Sequence, residues 1–381
     1  MSMTHSSPNT HLIGKPNGRA QLATPCLVLD ITKLNANIAT AAAHAKAKGF
    51  ALRPHGKSHK CANIGKLQIA AGANGLCVAT IGEAERLSNA GITDMLVTSN
   101  IAQPGKFARA VAMASGGIKL TLVADDPGTV DAIAAAAAKA NVRFDVLVDV
   151  DLGRQRNGIT TSEQALAVAA QIAAASHLRL AGLQTYASHI SHTPSYAARL
   201  AANRQASDTV RHIKSTLEAA GHCIETVSGG STGTLYMDPE MGCYTELQAG
   251  SYVFNDAEYM DVDLDGKHSA TFAPALTVAV SVIGRNVAGC VTCDGGNKQF
   301  SAKGTLPTFL CTPADGAIYR PDSDEHGIIE LPTGAAQPAL GAGFELIVPH
   351  CDPTVNLYDW YHVVDGTTLI AIWPIEARGA F

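Results

Sequence analysis

The segment RPHGKSHKC, residues 53–61, gathers an arginine, two histidines and two lysines directly after the short apolar stretch Phe50 to Leu52. Lys57 has two readings: a cation on a solvated basic turn, or an amine that bonds a carbonyl cofactor. The second needs a partly deprotonated amine, and Arg53, His55 and Lys60 are expected to push its pKa down. On this stretch alone the surface turn is the simpler reading. A second motif shifts the balance.

In VSGGSTGT, residues 227–234, a strand-like run enters Gly229, Gly230, Ser231, Thr232 and Gly233. Closely spaced backbone N–H groups and two hydroxyls there form a cradle suited to a phosphate dianion, although such runs also occur as plain turns. A lysine and a phosphate cradle together suggest pyridoxal phosphate. VDLGRQRNGI (150–159) adds Arg154 and Arg156. An arginine facing the pyridine nitrogen would keep that nitrogen unprotonated, because adjacent cations repel; a surface ion pair is the alternative. LQTYASHISH (183–192) offers Tyr186 as a phosphate-side hydroxyl and His189 and His192 as general bases near neutral pH, or as structural histidines. In VPHCDPTVNLYDW (348–360), His350 and Asp352 stand two apart. An extended segment would aim both at one cation, with Mn²⁺ or Mg²⁺ favoured by the carboxylate and Zn²⁺ if Cys351 replaced it.

The elements that must position these residues alternate from about residue 50 to 250 between short apolar runs and Ala-rich helical stretches. The pattern predicts strands at 51–54, 75–79, 94–98, 119–123, 144–150, 178–185, 224–228 and 246–249, and a helix over 31–48 capped by Asp30. Eight such units predict a TIM-type (β/α)8 barrel, an α/β fold whose chemistry lies on the loops after the strands. Beyond Asp265 the texture turns to β-branched runs separated by Gly, Pro and Asp, with a hairpin signal at Asp365-Gly366. The expectation is a barrel over 31–265 followed by a β domain over 266–381, into which the strand 24–30 pairs back.

With 381 residues the chain is long enough for two such units. A formal net charge of -5 provides no basic field for nucleic acid, so a small-molecule substrate is expected. No run reaches the roughly 18 apolar residues of a membrane span, and the start, MSMTHSSPNTHLIGKPNG, has no apolar centre. A cytoplasmic protein is expected. The 9 cysteines, an odd number, argue against a disulfide framework, and Cys290-x-x-Cys293 reads as a structural strand pair.

Taken together, TPCLVLD, RPHGKSHKC, GGSTGT, YTELQAGSYVF, DEHG and HCDPTVNLYDW resemble the D-threonine aldolases, which are alanine-racemase-like (fold type III) pyridoxal-phosphate enzymes. The resemblance runs from about residue 24 to IWPIEARG. It implies that Lys57 carries the cofactor, that Arg156 faces the pyridine nitrogen, and that Tyr186 and the Gly230 to Gly233 loop meet the phosphate. It likewise implies that His192 lies near the substrate hydroxyl and that His350 and Asp352 hold a divalent metal. The expected activity is cleavage of a D-3-hydroxy-α-amino acid to glycine and an aldehyde, in a homodimer whose partner β domain closes the pocket, with Asp324 to His326 as candidates. Related D-serine and 3-hydroxyaspartate dehydratases use H-x-C at the metal site, so the aspartate leans toward the aldolases. The stretches YASHISH, VATIGEAE (78–85) and GGNK (295–298) depart from the family pattern and bear on side-chain specificity.

Overall fold

The computed structural model describes residues 6–301 and 305–381, which leaves the first five residues of the N-terminal stretch outside it. Strand β1 (Cys26–Asp30) leads into α1 (Ile31–Lys48). Asp30 accepts the Lys33 N–H at 3.1 Å, and Gly49 takes φ +72° just past the other end. The helix therefore starts at a side-chain cap and stops at a left-handed glycine.

Eight short strands follow: β2 (Ala51–Leu52), β3 (Leu76–Val78), β4 (Asp94–Val97), β5 (Lys119–Ala124), β6 (Phe144–Asp151), β7 (Leu178–Tyr186), β8 (Thr226–Gly229) and β9 (Glu246–Leu247). Between them run α2 (Ala62–Ala70), α3 (Ile81–Asn89), α4 (Pro104–Ser115), α5 (Pro127–Ala140), α6 (Ser162–Ala174) and α7 (Tyr196–Ala219). The strands pair in the order β2-β9-β8-β7-β6-β5-β4-β3, all parallel, and a parallel bridge between His55 and Cys77 joins the two ends. Parallel strands covered by helices are buried on both faces and so read as continuous apolar runs, as in Val146, Leu147 and Val148.

After the short helix α8 (Ala257–Met260) comes a mostly antiparallel sheet. It is built from β10 (Leu276–Gly284), β11 (Cys290–Cys293), β12 (Thr308–Phe309), β13 (Ile318–Pro321), β14 (Gly327–Glu330), β15 (Gly343–Ile347), β16 (Trp360–Asp365) and β17 (Thr368–Pro374). Strand β1 lies inside this sheet, antiparallel to β10 and parallel to β16. The β16–β17 hairpin turns through Gly366 and Thr367, with Asp365 opposite Thr368 and Gly366 at φ +54°. Cys290 and Cys293 lie on β11 as free cysteines. Among the described residues, no helix is long and apolar enough to cross a membrane.

The segment carrying His350 and Asp352 differs from the extended run expected. His350 is extended, at φ -139°, but Asp352 sits in the first turn of α9 (Cys351–Val355). Asp352 and Pro353 open this helix because an acidic side chain favours the N-terminal turn and proline fits where no intrahelical N–H is required.

Candidate active site

One polar pocket opens at the C-terminal ends of the barrel strands, where the β-sheet domain meets them. Lys57 reaches it from the turn after β2, Arg156 from the loop after β6, and Tyr186 from the last position of β7. His192 enters from the loop between β7 and α7, Gly230, Ser231 and Thr232 from the loop after β8, and His350 and Asp352 from the segment entering α9. Gly233 stands behind this lining: a Cβ there would lie 1.8 Å from the Ser191 carbonyl oxygen. Loops after parallel strands converge on one end of a barrel, and the sheet domain sets Asp352, 295 positions from Lys57, against that end.

The Lys57 amine donates to Asp352 Oδ1 at 2.6 Å. Burial disfavours its charge, but the Asp352 carboxylate, with smaller contributions from Tyr186 and Cys351, raises the pKa on balance. This reverses the sequence expectation, for two reasons. Arg53 is neutralised by Glu246 at 3.0 Å and Asp94 at 2.6 Å, and Lys60 by the buried Glu83 at 2.5 Å. Burial raises the Asp352 carboxyl, but Lys57, followed by His350, overcomes it and holds the group well below the carboxylate range.

On the opposite wall the loop after β8 turns sharply. Gly230 takes φ +75°, and a Cβ there would lie 2.3 Å from Asp238 Oδ2, so the turn accepts only glycine. Asp238 is buried and accepts from Thr234 Oγ1 at 2.6 Å and Asn203 Nδ2 at 2.8 Å; burial pushes its pKa up to about 7. Arg199, fully buried on α7, donates through Nε to the Gly233 carbonyl at 2.6 Å and through Nη1 to the Thr193 carbonyl at 2.5 Å, while Nη2 reaches the Asp263 carbonyl. It ties the His192 loop to the glycine loop. Arg156 lies over the Tyr186 ring, 5.6 Å from its centroid, and its Nε donates to Asn157 Oδ1 at 2.7 Å. Asn157 in turn donates to Asp149 at 2.5 Å.

The imidazoles form a third wall. His192 packs on the Tyr259 ring with centroids 4.5 Å apart, and its Nε2 lies 3.6 Å from Glu258 Oε2. Burial, then the neighbouring His350, lowers its pKa, so it is neutral at neutral pH. His350 Nε2 stands 3.4 Å from Asp352 Oδ2, while Nδ1 lies 3.2 Å from Asp256 Oδ2 and 3.4 Å from Glu258 Oε2. Burial alone would lower the His350 pKa, but the Asp256 contact and the charges of Asp352, Asp256 and Glu258 raise it.

The donor set fits the two groups expected. An amine, a glycine-only turn beside hydroxyls, and an arginine over a tyrosine ring all line the pocket, donors that suit an aldehyde, a phosphate and a pyridine nitrogen. One imidazole nitrogen and one carboxylate facing each other match a divalent ion that takes mixed N and O ligands. His192, Glu258 and His350 also bring ligand atoms within 4.8 Å of one another. Thr98, Gln184, Gln248, Gly250, Ser251 and Tyr259 share the lining but were not assigned roles from sequence. Gly250 and Ser251 had a usable signal: they follow the eighth barrel strand, where phosphate loops recur.

An eight-stranded parallel barrel joined to a mostly antiparallel sheet, with a lysine-bearing pocket between them, defines an alanine-racemase-like protein. Residues 29–258 match the family described as "Alanine racemase, N-terminal domain", and residues 275–364 match the "Putative serine dehydratase domain". The chain is 35% identical over 364 residues to the 3-hydroxy-D-aspartate aldolase of Paracoccus denitrificans (strain Pd 1222), covering 94% of this chain and 93% of that protein. It is 35% identical to the D-threonine aldolase of an Arthrobacter species, covering 94% of each chain. The crystal structure of D-threonine aldolase from Filomicrobium marinum superposes with a TM-score of 0.91 at 34% identity, covering 94% of this chain and 97% of that one. The chain belongs to the alanine-racemase-like aldolase family that these enzymes represent.

Proposed function

We propose that this protein is a pyridoxal-phosphate- and divalent-metal-dependent lyase that splits D-3-hydroxy-α-amino acids of the D-threonine type into glycine and an aldehyde. The carrying observation is the 2.6 Å contact between the Lys57 amine, on the barrel, and Asp352, beside His350 in the sheet domain. It brings a cofactor-bonding group and a metal-binding pair to one point. We place the barrel at 31–265 and the β domain at 266–381 together with 24–30.

Lys57 would hold the cofactor covalently, Gly230 to Gly233 and Tyr186 its phosphate, and Arg156 its ring nitrogen. His350 and Asp352 would hold the ion, with Mn²⁺ or Mg²⁺ favoured over Zn²⁺ because a carboxylate is a hard ligand. When bound, pyridoxal phosphate supplies an electron sink at the substrate α carbon and the ion supplies Lewis acidity at the β-hydroxyl. His192, about 38% exposed at the pocket and with its pKa lowered by partial burial and then by His350, would accept the hydroxyl proton. With that proton removed, the Cα–Cβ bond would break, the oxygen's electron pair closing the aldehyde while the bond pair stays on the α carbon, which would take a proton back from solvent or from protonated His192 to give glycine. Arg156, kept in place by Asn157, opposes protonation of the ring nitrogen and so restrains deeper electron withdrawal.

We further infer a cytoplasmic homodimer in which the partner's β domain covers the pocket; cysteines that are all free support a reducing compartment. The test of the reaction is product analysis. Wild-type protein given D-threonine should yield glycine and acetaldehyde, and Lys57→Ala and Asp352→Ala should each lose about 10³-fold or more in kcat. A visible absorbance band that borohydride abolishes should be present in the wild type and missing from Lys57→Ala. A 2-oxoacid with ammonia in place of glycine would assign a dehydratase instead.

A further inference from the structure

Asp256 is fully buried behind the His350–Asp352 pair and does not line the pocket. Through Oδ1 it caps α8, accepting the Tyr259 N–H at 3.2 Å. Through Oδ2 it accepts the Cys351 N–H at 2.8 Å and meets His350 Nδ1 at 3.2 Å. A buried carboxylate is costly unless donors fill its lone pairs, so this third contact is favourable only when Nδ1 carries the proton. The Glu258 carboxylate, 3.4 Å from the same nitrogen, adds a second negative charge on that side. With the proton on Nδ1, the Nε2 lone pair faces Asp352 across 3.4 Å.

Asp256 could itself be counted as a ligand, since its oxygen, His350 and Cys351 bring ligand atoms within 4.8 Å. One observation opposes this: its oxygens are already engaged by backbone N–H groups, of Tyr259 at Oδ1 and of Cys351 at Oδ2. A cation there would have to displace those donors.

We infer that Asp256 is a positioning residue for the metal pair: it holds His350 in the Nδ1–H tautomer, turns Nε2 toward the ion shared with Asp352, and strengthens Nε2 as a donor by accepting that proton. This rests on the reading that His350 and Asp352 take a divalent ion. Asp256 caps α8, so the start of that helix sets the ligand geometry of the segment entering α9.

The test is Mn²⁺ titration by calorimetry of cofactor-loaded wild type, Asp256→Asn and His350→Ala, with melting temperatures recorded alongside. Asp256→Asn should raise the Kd about 10–100-fold, and His350→Ala should raise it further. Unchanged affinity in Asp256→Asn, when wild type exceeds His350→Ala, overturns the inference alone and leaves Asp256 as a helix cap. A loss equal to that of His350→Ala overturns it in favour of direct ligation. Wild type no better than His350→Ala overturns both the inference and the metal reading beneath it. Should Asp256→Asn fail to fold, ¹⁵N spectra of histidine-labelled, metal-free wild type decide. A proton on Nδ1 of His350 supports the assignment, and one on Nε2 removes it.

Discussion

His59, two residues beyond Lys57, is fully buried, with Nδ1 accepting the Cys61 N–H at 3.1 Å. Burial lowers its pKa to about 4. An unfolded histidine takes up a proton near pH 6.5, whereas this one stays neutral down to about pH 4. The lowered native pKa therefore contributes stability that is complete above pH 6.5 and is lost as pH falls toward 4, about 3 kcal/mol in all. Denaturant midpoints at neutral and acid pH should show this loss in wild type and a smaller loss in His59→Gln. The gathering of single residues into one place was legible, from position after a barrel strand for Lys57, Arg156, Tyr186, His192, Gly230, Ser231 and Thr232 and from their spacing for His350 and Asp352: all line one pocket. Their electrostatics were not. Arg53 finds Glu246 193 positions away, and Lys57 finds Asp352 295 positions away. No local window contains both members of such a pair.

At the scale of elements, the loop after β8 depends on how closely it packs. A Cβ on Gly233 would meet the Ser191 carbonyl at 1.8 Å, and Ser191 directly precedes His192. Gly233→Ala should therefore cost about 1–3 kcal/mol, as overpacking does, read as a lower melting temperature. Weaker retention of pyridoxal phosphate on dialysis should accompany it, because the glycine loop and the His192 loop must both shift. The eight barrel strands were legible because each is a short apolar run bounded by turn residues. Strands β12, β13 and β14 were not: they span two to four residues and carry mixed polarity, as in the run from Ile318 to Pro321. The His350–Asp352 pairing was foreseen on the wrong backbone, since a first-turn aspartate and proline override the alternation expected of a strand.

At the scale of the whole molecule, the turn bearing Lys57 is gripped from the sheet side. The Tyr361 hydroxyl donates to the His59 carbonyl at 2.7 Å, the Ala377 N–H donates to the Lys60 carbonyl at 3.1 Å, and Glu376 accepts the Ala62 N–H at 3.0 Å. The barrel and its successor were readable as separate textures; the bonds between them, made by backbone carbonyls and the chain's last residues, leave no compositional trace. On the proposed assignment of cofactor to Lys57 and ion to Asp352, their ion pair would couple two loading events. A free amine competes with a divalent ion for the same carboxylate, whereas an amine condensed with an aldehyde surrenders it. The two ligands should thus recruit each other: Mn²⁺ binds more tightly to protein already carrying pyridoxal phosphate, and by reciprocity the ion tightens the hold on the cofactor. Calorimetric titrations of each ligand, with and without the other, would show one shared coupling factor, and a protein stripped of both would reassemble fastest when offered the pair together.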